Sequence, residues 1–232
     1  MAHARVDNVS SRVQAGMQEL FDPSKPHLPA WIQLHNPDDY WDDDESLLKD
    51  PIATSLYYAA LCGFRGLVEH LLLKYPQHVN AFCGGRGAAL YAASAQNHIE
   101  VAQLLLERSG NVDVEGLHKR TPLHFAVIEG NLGMGRFLLD HGADVDSRQL
   151  DLWTPLHMAT WNGYADISQM LLEHNADPNS RDNRGRVPLH RVSEHLAERR
   201  DYPGIVRLLL EHGADVGAKD EEDTTPLHLA SS

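Results

Sequence analysis

From about residue 51 onward, apolar residues come in short bursts at helical spacing, and the bursts recur in pairs. The first burst of a pair is typified by Leu123, Ala126 and Val127, which share one helix face. The second is a leucine stripe: Leu104-Leu105-Leu106-Glu107, Phe137-Leu138-Leu139-Asp140, Met170-Leu171-Leu172-Glu173 and Leu208-Leu209-Leu210-Glu211. Start and stop signals frame both. Thr121-Pro122 and Thr154-Pro155 read as helix starts, with the hydroxyl as N-cap and proline in the first turn, where its missing N–H is harmless. Gly130 and Gly163 end the first helix. Gly142 or Gly213 ends the second in a left-handed conformation, and Asn175 takes that place once. Short turn-rich stretches follow, such as Ala143-Asp144-Val145-Asp146 and Ala214-Asp215-Val216. The pattern predicts helical pairs joined by hairpins. Each pair is too small to bury its own apolar face, so stacking has to supply the core.

The units keep one period. Thr121-Pro122-Leu123-His124, Thr154-Pro155-Leu156-His157, Val187-Pro188-Leu189-His190 and Thr225-Pro226-Leu227-His228 lie 33, 33 and 38 residues apart. Ala88-Ala89-Leu90-Tyr91 lies 33 before the first, and Thr54-Ser55-Leu56-Tyr57 another 34 before that. Motif, period and phase agree, and on these residues the chain resembles the ankyrin-repeat family over 51–232. The resemblance implies an all-α ankyrin-repeat solenoid of stacked helix–turn–helix units with β-hairpin loops. Five repeats are expected, at 54–87, 88–120, 121–153, 154–186 and 187–224, with a partial sixth at 225–232. The first two depart from the pattern: Ser55 and Ala89 stand for proline, Tyr57 and Tyr91 for histidine, and Pro76 interrupts the glycine end. The fifth carries five extra residues within Glu194–Pro203, read as a surface insertion. The sixth stops inside its first helix, so a cropped chain is expected.

Residues 1–50 read differently. Val9, Val13, Met17 and Leu20 fall on one side of a helix over Asn8–Phe21, which Pro23, Pro26 and Pro29 end. The aromatics of Leu28–Trp41 are expected to cover the first repeat. This segment carries a net charge of −6, most of it in Asp38–Glu45. A boundary near Pro51 therefore separates an N-terminal helix and acidic linker or cap, 1–50, from the repeat domain, 51–232. Val9–Gln14, Leu20–His27, Ala30-Trp31-Ile32 and Leu56–Phe64 resemble the approach to the array, and its first repeat, in fungal NACHT–ankyrin (NLR-like) proteins. That resemblance implies a nucleotide-binding switch domain upstream of Met1; the Gly-x-x-x-x-Gly-Lys-Ser/Thr phosphate loop does not occur in this chain.

Charge and chemistry narrow the function. A net charge of −13 argues against a nucleic-acid or anionic-membrane partner. The longest apolar run, Ser55–Phe64, is too short to span a bilayer, and the N-terminus lacks the apolar core of a secretory signal. Two cysteines are too few for a disulfide framework or zinc site. A cytoplasmic monomer is expected. Of fifteen histidines, His124, His157, His190 and His228 share one repeat slot, His141, His174 and His212 another, and His98 a third. Such an array runs along a stack rather than converging on a metal. The acidic run lacks a calcium-loop pattern, and there is no Gly-x-Ser-x-Gly nucleophile elbow. No cofactor and no enzyme activity are expected.

The resemblance then points to the concave face, at positions just before Thr-Pro-Leu-His and seven or eight after its Thr. Those are His118, Arg120, Ile128 and Glu129 in the third repeat, Asp151, Trp153, Trp161 and Asn162 in the fourth, and Arg184, Arg186 and Glu194 in the fifth. Tryptophan and arginine are enriched at binding hot spots. Trp161 is the sharper candidate, its slot usually being polar or small in that family; packing against its neighbour is the competing role. Trp153 has a more structural place. The expected function is a non-catalytic protein–protein interaction module, the recognition part of a larger fungal NLR-like signalling protein, binding a protein or peptide on repeats three to five. The alternative is an intramolecular, autoinhibitory part packing on an upstream domain.

Overall fold

The computed structural model describes residues 16, 19–22, 24, 51–83, 87–193 and 202–231, and the regular structure there is helical. Two compact units make up the chain, Met1–Leu117 and His118–Ser232. No helix among the described residues is long and apolar enough to cross a membrane.

The first unit contains α1 (Pro51–Leu61), α2 (Arg65–Lys74), α3 (Ala89–Ala95) and α4 (Ile99–Glu107). Pro76 opens a short 3₁₀ turn, Pro76–His78, in place of a glycine end. Helix α1 packs on α3 and α2 on α4. Ala59, Ala60, Ala92 and Ala93 are wholly buried, so the backbones of α1 and α3 can approach closely. Val68, Leu72, Ala102 and Leu105 are likewise buried on α2 and α4. His98 Nε2 donates to the Leu61 carbonyl at 3.1 Å, and its ring lies over Gly63, where a Cβ would meet it at 2.6 Å. Phe21 is fully buried and meets Phe64 edge to face, with ring centroids 6.1 Å apart. Gly16, Glu19 and Leu20 are helical. The rest of the expected Asn8–Phe21 helix, the aromatic and acidic stretch 28–45 and most of the 194–203 insertion lie outside the described residues.

The second unit contains α5 (Pro122–Ile128), α6 (Leu132–Asp140), α7 (Pro155–Asn162), α8 (Ala165–Glu173), α9 (Pro188–Ser193), α10 (Tyr202–Glu211) and α11 (Pro226–Ala230). Helices α5, α7, α9 and α11 pack in succession as one layer, and α6, α8 and α10 as the other. The apolar pairing read from the sequence explains this. Leu123, Ala126, Val127, Leu156, Ala159 and Val192 are buried on the first layer, and Met134, Leu138, Met170, Leu171, Ile205 and Leu209 on the second. The expected glycine ends adopt left-handed backbone, with φ of 70° at Gly130, 74° at Gly163, 86° at Gly142 and 85° at Gly213; Asn175 follows at 65°. Tyr164 and Tyr202 lie against Gly130 and Gly163, with ring carbons 3.3 and 3.4 Å from where a Cβ would stand.

The loops differ from the β-hairpins expected. Among the described residues no strand forms. Each loop closes on a backbone bond across its ends, Gln149 N–H to Trp153 C=O at 3.1 Å, Asp182 to Arg186 at 2.9 Å and Asp220 to Thr224 at 3.0 Å, and on a tighter turn inside it, Leu152 N–H to Gln149 C=O, Gly185 to Asp182 and Asp223 to Asp220, at 2.9–3.1 Å. One further bond ties each tip to the previous one: Leu150 N–H to His118 C=O, Asn183 to Asp151, and Glu221 to Arg184, at 2.9–3.1 Å. Left-handed backbone at Leu152, Gly185 and Asp223 turns the chain inside these loops, and the bond across the ends of each is not extended into a ladder among the described residues.

Buried histidines join successive repeats. His124, His157 and His190 are wholly buried. Their Nε2 atoms reach the carbonyls of Trp153 at 3.3 Å, Arg186 at 3.0 Å and Thr224 at 3.0 Å. A carbonyl only accepts, so Nε2 carries the proton and Nδ1 accepts, here from the backbone N–H of Thr121, Thr154 and Val187 at 3.2 Å. The Thr hydroxyl completes a capping box at Thr121 and Thr154. His141, His174 and His212 use Nδ1 to donate to the carbonyl four residues back, each at 2.8 Å. Burial holds the His124 and His157 imidazoles down to about 4, despite the opposing backbone bonds. Unfolding returns them to about 6.5, so the unfolded chain takes up protons first, and stability is lost as pH falls from about 6.5 through about 4. The urea unfolding free energy should drop by about 2 kcal/mol per histidine between pH 7 and pH 5, and His157→Asn should remove about one such share of the slope. Equal unfolding free energies at the two pH values would refute the assignment.

Candidate functional site

An open groove of about 520 Å³ lies within the second unit. Arg120, Ile128, Asp151, Trp153, Trp161, Asn162 and Arg184 of the expected residues line it. The others do not. His118 gives its carbonyl to Leu150 N–H, Glu129 caps α5 and is exposed off the groove, and Glu194 lies outside the described residues. Arg186 donates through Nε to Asp220 Oδ2 at 3.1 Å and gives its carbonyl to His157. It serves the stack.

Four lining residues were missed from the sequence: Gln149, Met158, Asn183 and Arg191. Arg191 is the informative one. It occupies the slot after the repeat histidine, held by Phe125 and Met158 in the two preceding repeats. A single cation in an otherwise apolar slot was the available signal. The side chain is buried at 7% exposure. Its terminal nitrogen pairs with Asp182 Oδ2, while its guanidinium lies 4.4 Å from the Trp153 ring centroid and 5.8 Å from that of Trp161. The two indoles sit 5.7 Å apart at 60°. Trp161 thus packs on its neighbour and still remains 38% exposed.

The loop slots explain this arrangement. Arg120, Trp153, Arg186 and Thr224 are equivalent positions, as are Gln149, Asp182 and Asp220. Arg120 donates through Nε to Gln149 Oε1 at 2.9 Å, just as Arg186 does to Asp220. At the middle junction the slot holds Trp153, which cannot supply a cation to Asp182. Arg191 supplies it from α9 and stacks beneath the indole. Burial alone pushes the Asp182 carboxyl up; the backbone N–H groups of Arg186 and Arg184, at 2.9 and 2.8 Å, and the Arg191 guanidinium outweigh it and hold the carboxyl below its ordinary value. Asp220 is shifted the same way by Thr224, Glu222 and Arg186 against the desolvation it suffers. Among the described residues, no group of three or more His, Cys, Asp and Glu side chains is arranged to hold a metal ion.

Residues 91–182 match the family model for "Ankyrin repeats (3 copies)", and residues 184–221 match that for "Ankyrin repeat". Together these matches cover more than half of the chain. The chain belongs to the ankyrin-repeat family. Ankyrin repeats are generally protein–protein interaction modules and typically non-catalytic. A protein of Monascus ruber, "Azaphilone pigments biosynthesis cluster protein L", is 30% identical over 111 residues, covering 44% of this chain and 24% of the relative. The chain therefore spans about a quarter of that relative's length.

The Asp182–Arg191 pair is open to test by substitution. Asp182→Ala should destabilise the protein by about 3–5 kcal/mol, because it leaves a buried guanidinium without its carboxylate. Asp182→Asn with Arg191→Met removes both charges and keeps an acceptor for the two loop N–H groups, so the double variant should lose less than Asp182→Ala. Urea titrations at pH 7 give both numbers. A cost for Asp182→Ala within the range of surface substitutions would show that the pair does not hold the loop.

Proposed function

We propose that the second unit is the partner-recognition surface of this ankyrin protein, and that the groove around Trp161 is where a protein or peptide binds. The observation that carries this is a large aromatic left 38% exposed in a groove while its other face is fixed by Trp153 and Arg191. An anchor already held in place loses little conformational freedom on binding, and tryptophan contributes most strongly where it centres an interface. Ile128 and Met158 extend the apolar floor, and Arg120, Asp151 and Arg184 supply the polar rim. Arg186 and His118 have no part in contact with the ligand in this reading.

The binding unit belongs to a larger protein in this proposal. Support comes from the relative, of which the matched region is only a quarter, and from the likeness of residues 9–32 and 56–64 to the approach and first repeat of fungal NACHT–ankyrin arrays. The protein acts in the cytoplasm as a monomeric recognition part of a switch protein. Affinity capture from host lysate with residues 1–232, beside Trp161→Ala and Ile128→Asp variants of matching thermal stability, tests the groove. The parent should retain a protein that both variants lose by at least tenfold. Equal retention by all three would sink the groove as the binding face, and capture by none would favour an intramolecular role.

A further inference from the structure

We infer that the groove selects an acidic and apolar peptide segment, one that places Asp or Glu carboxylates beside an aliphatic or aromatic side chain; this rests on the proposed binding role of the groove. The cation position over the aromatic floor is already occupied. Two indoles set at an angle could in principle take a cationic ligand. Here the cation over both rings is the chain's own Arg191, paired with buried Asp182. A lysine or arginine from a partner would have to displace it and leave the Asp182 carboxylate uncompensated.

The charge that remains in the lining is positive. Once Arg191 and Asp182 are paired, the lining keeps Arg120 and Arg184 against Asp151. Asp151 already accepts from Asn183 Nδ2 at 3.3 Å. Among the described residues Arg120 hydrogen-bonds through Nε to Gln149, with its guanidinium 5.8 Å from the Phe125 ring centroid, which leaves its two terminal amino groups for a ligand, and Arg184 is exposed with only its backbone bonded, to Asp182 and Glu221. So a chain of net charge −13 presents a locally positive rim beside Trp161 and Ile128. Planar guanidinium groups suit carboxylates in two-pronged contact, while the exposed indole takes the apolar side chain.

Selection of a random 12-residue peptide display library on residues 1–232 tests this without a known partner. Enriched peptides should be acidic with at least one large apolar residue. Their affinity should fall at least tenfold in Trp161→Ala and in the charge reversal Arg120→Glu/Arg184→Glu, and should weaken several-fold between 50 and 300 mM NaCl. Arg184→Glu alone, at an exposed position, serves as the variant whose folding is not in question. Enrichment of basic or neutral peptides that still need Trp161 would overturn the acidic preference and leave the groove intact. Peptides indifferent to Trp161→Ala, or no enrichment, would overturn the groove itself.

Discussion

One hydrogen bond recurs along the second unit and ties each helix start to the one after it: the bond from a wholly buried imidazole to the carbonyl of the residue just before the next first-layer helix start. His124, His157 and His190 each make it, 29, 29 and 34 residues down the chain. It fixes more than distance. Because the far nitrogen must donate, the near one must accept, and it therefore satisfies the backbone N–H of the residue just before its own helix. One ring thus closes a helix start and sets the height of the neighbouring loop. The change from 29 to 34 shows what the bond tolerates. Five inserted residues lengthen the path between donor and acceptor, yet the contact at Thr224 matches that at Arg186, because the addition falls before α10 and leaves the loop geometry unchanged. Tyr202 then meets Gly163 as Tyr164 meets Gly130, and its hydroxyl donates to the Trp161 carbonyl at 2.9 Å.

With the loops fixed in height, the residue just before each helix start faces the preceding turn position of the next loop. Arginine at 120 and 186 uses that meeting to bind Gln149 and Asp220. Tryptophan at 153 breaks the rule, and the break produces the groove. Asp182 still needs a cation, so the chain places one at Arg191, in a slot elsewhere apolar. A guanidinium beneath two indoles then fixes the ring that remains exposed. The site follows from a local exception to a structural repeat rather than from a separate motif.

The fold was legible because it is periodic. Thr-Pro-Leu-His repeated at 33 residues gives helix start, cap and inter-repeat donor together, and Gly130, Gly163 and Gly142 mark ends that the backbone angles match. The loops were less legible. A hairpin and a tight turn have the same composition, and whether the bond across the ends extends into a ladder depends on how far the flanking backbones run side by side, which composition does not record. Reading the site by family position gathered Trp161, Trp153, Arg120 and Arg184 around one groove, but it could not separate them from Arg186. Arginines 184 and 186 are two apart in the same loop; one lines the groove and the other is tied to Asp220. Sequence position describes the slot. The partner of each side chain depends on the next repeat, 34 residues on.

That dependence shapes how the groove should be read. Arg191 and Asp182 lie within hydrogen-bonding reach of the loop that carries Arg184, so the pair that orients Trp161 also supports the rim. Loss of ligand binding on changing Arg191 would therefore mix two causes, a displaced indole and a loosened loop. Changes at Trp161 or Arg184 do not carry that ambiguity to the same degree. Trp161 has its exposed edge outside the packed cluster, and Arg184 bonds through backbone groups that a side-chain substitution leaves in place. In the proposed reading the interior charge is a positioning group and the rim charges are the ones that meet the ligand. Under the proposed acidic preference, a cation sealed under the aromatic floor and two more at its edge would discriminate by repelling basic segments as much as by attracting acidic ones.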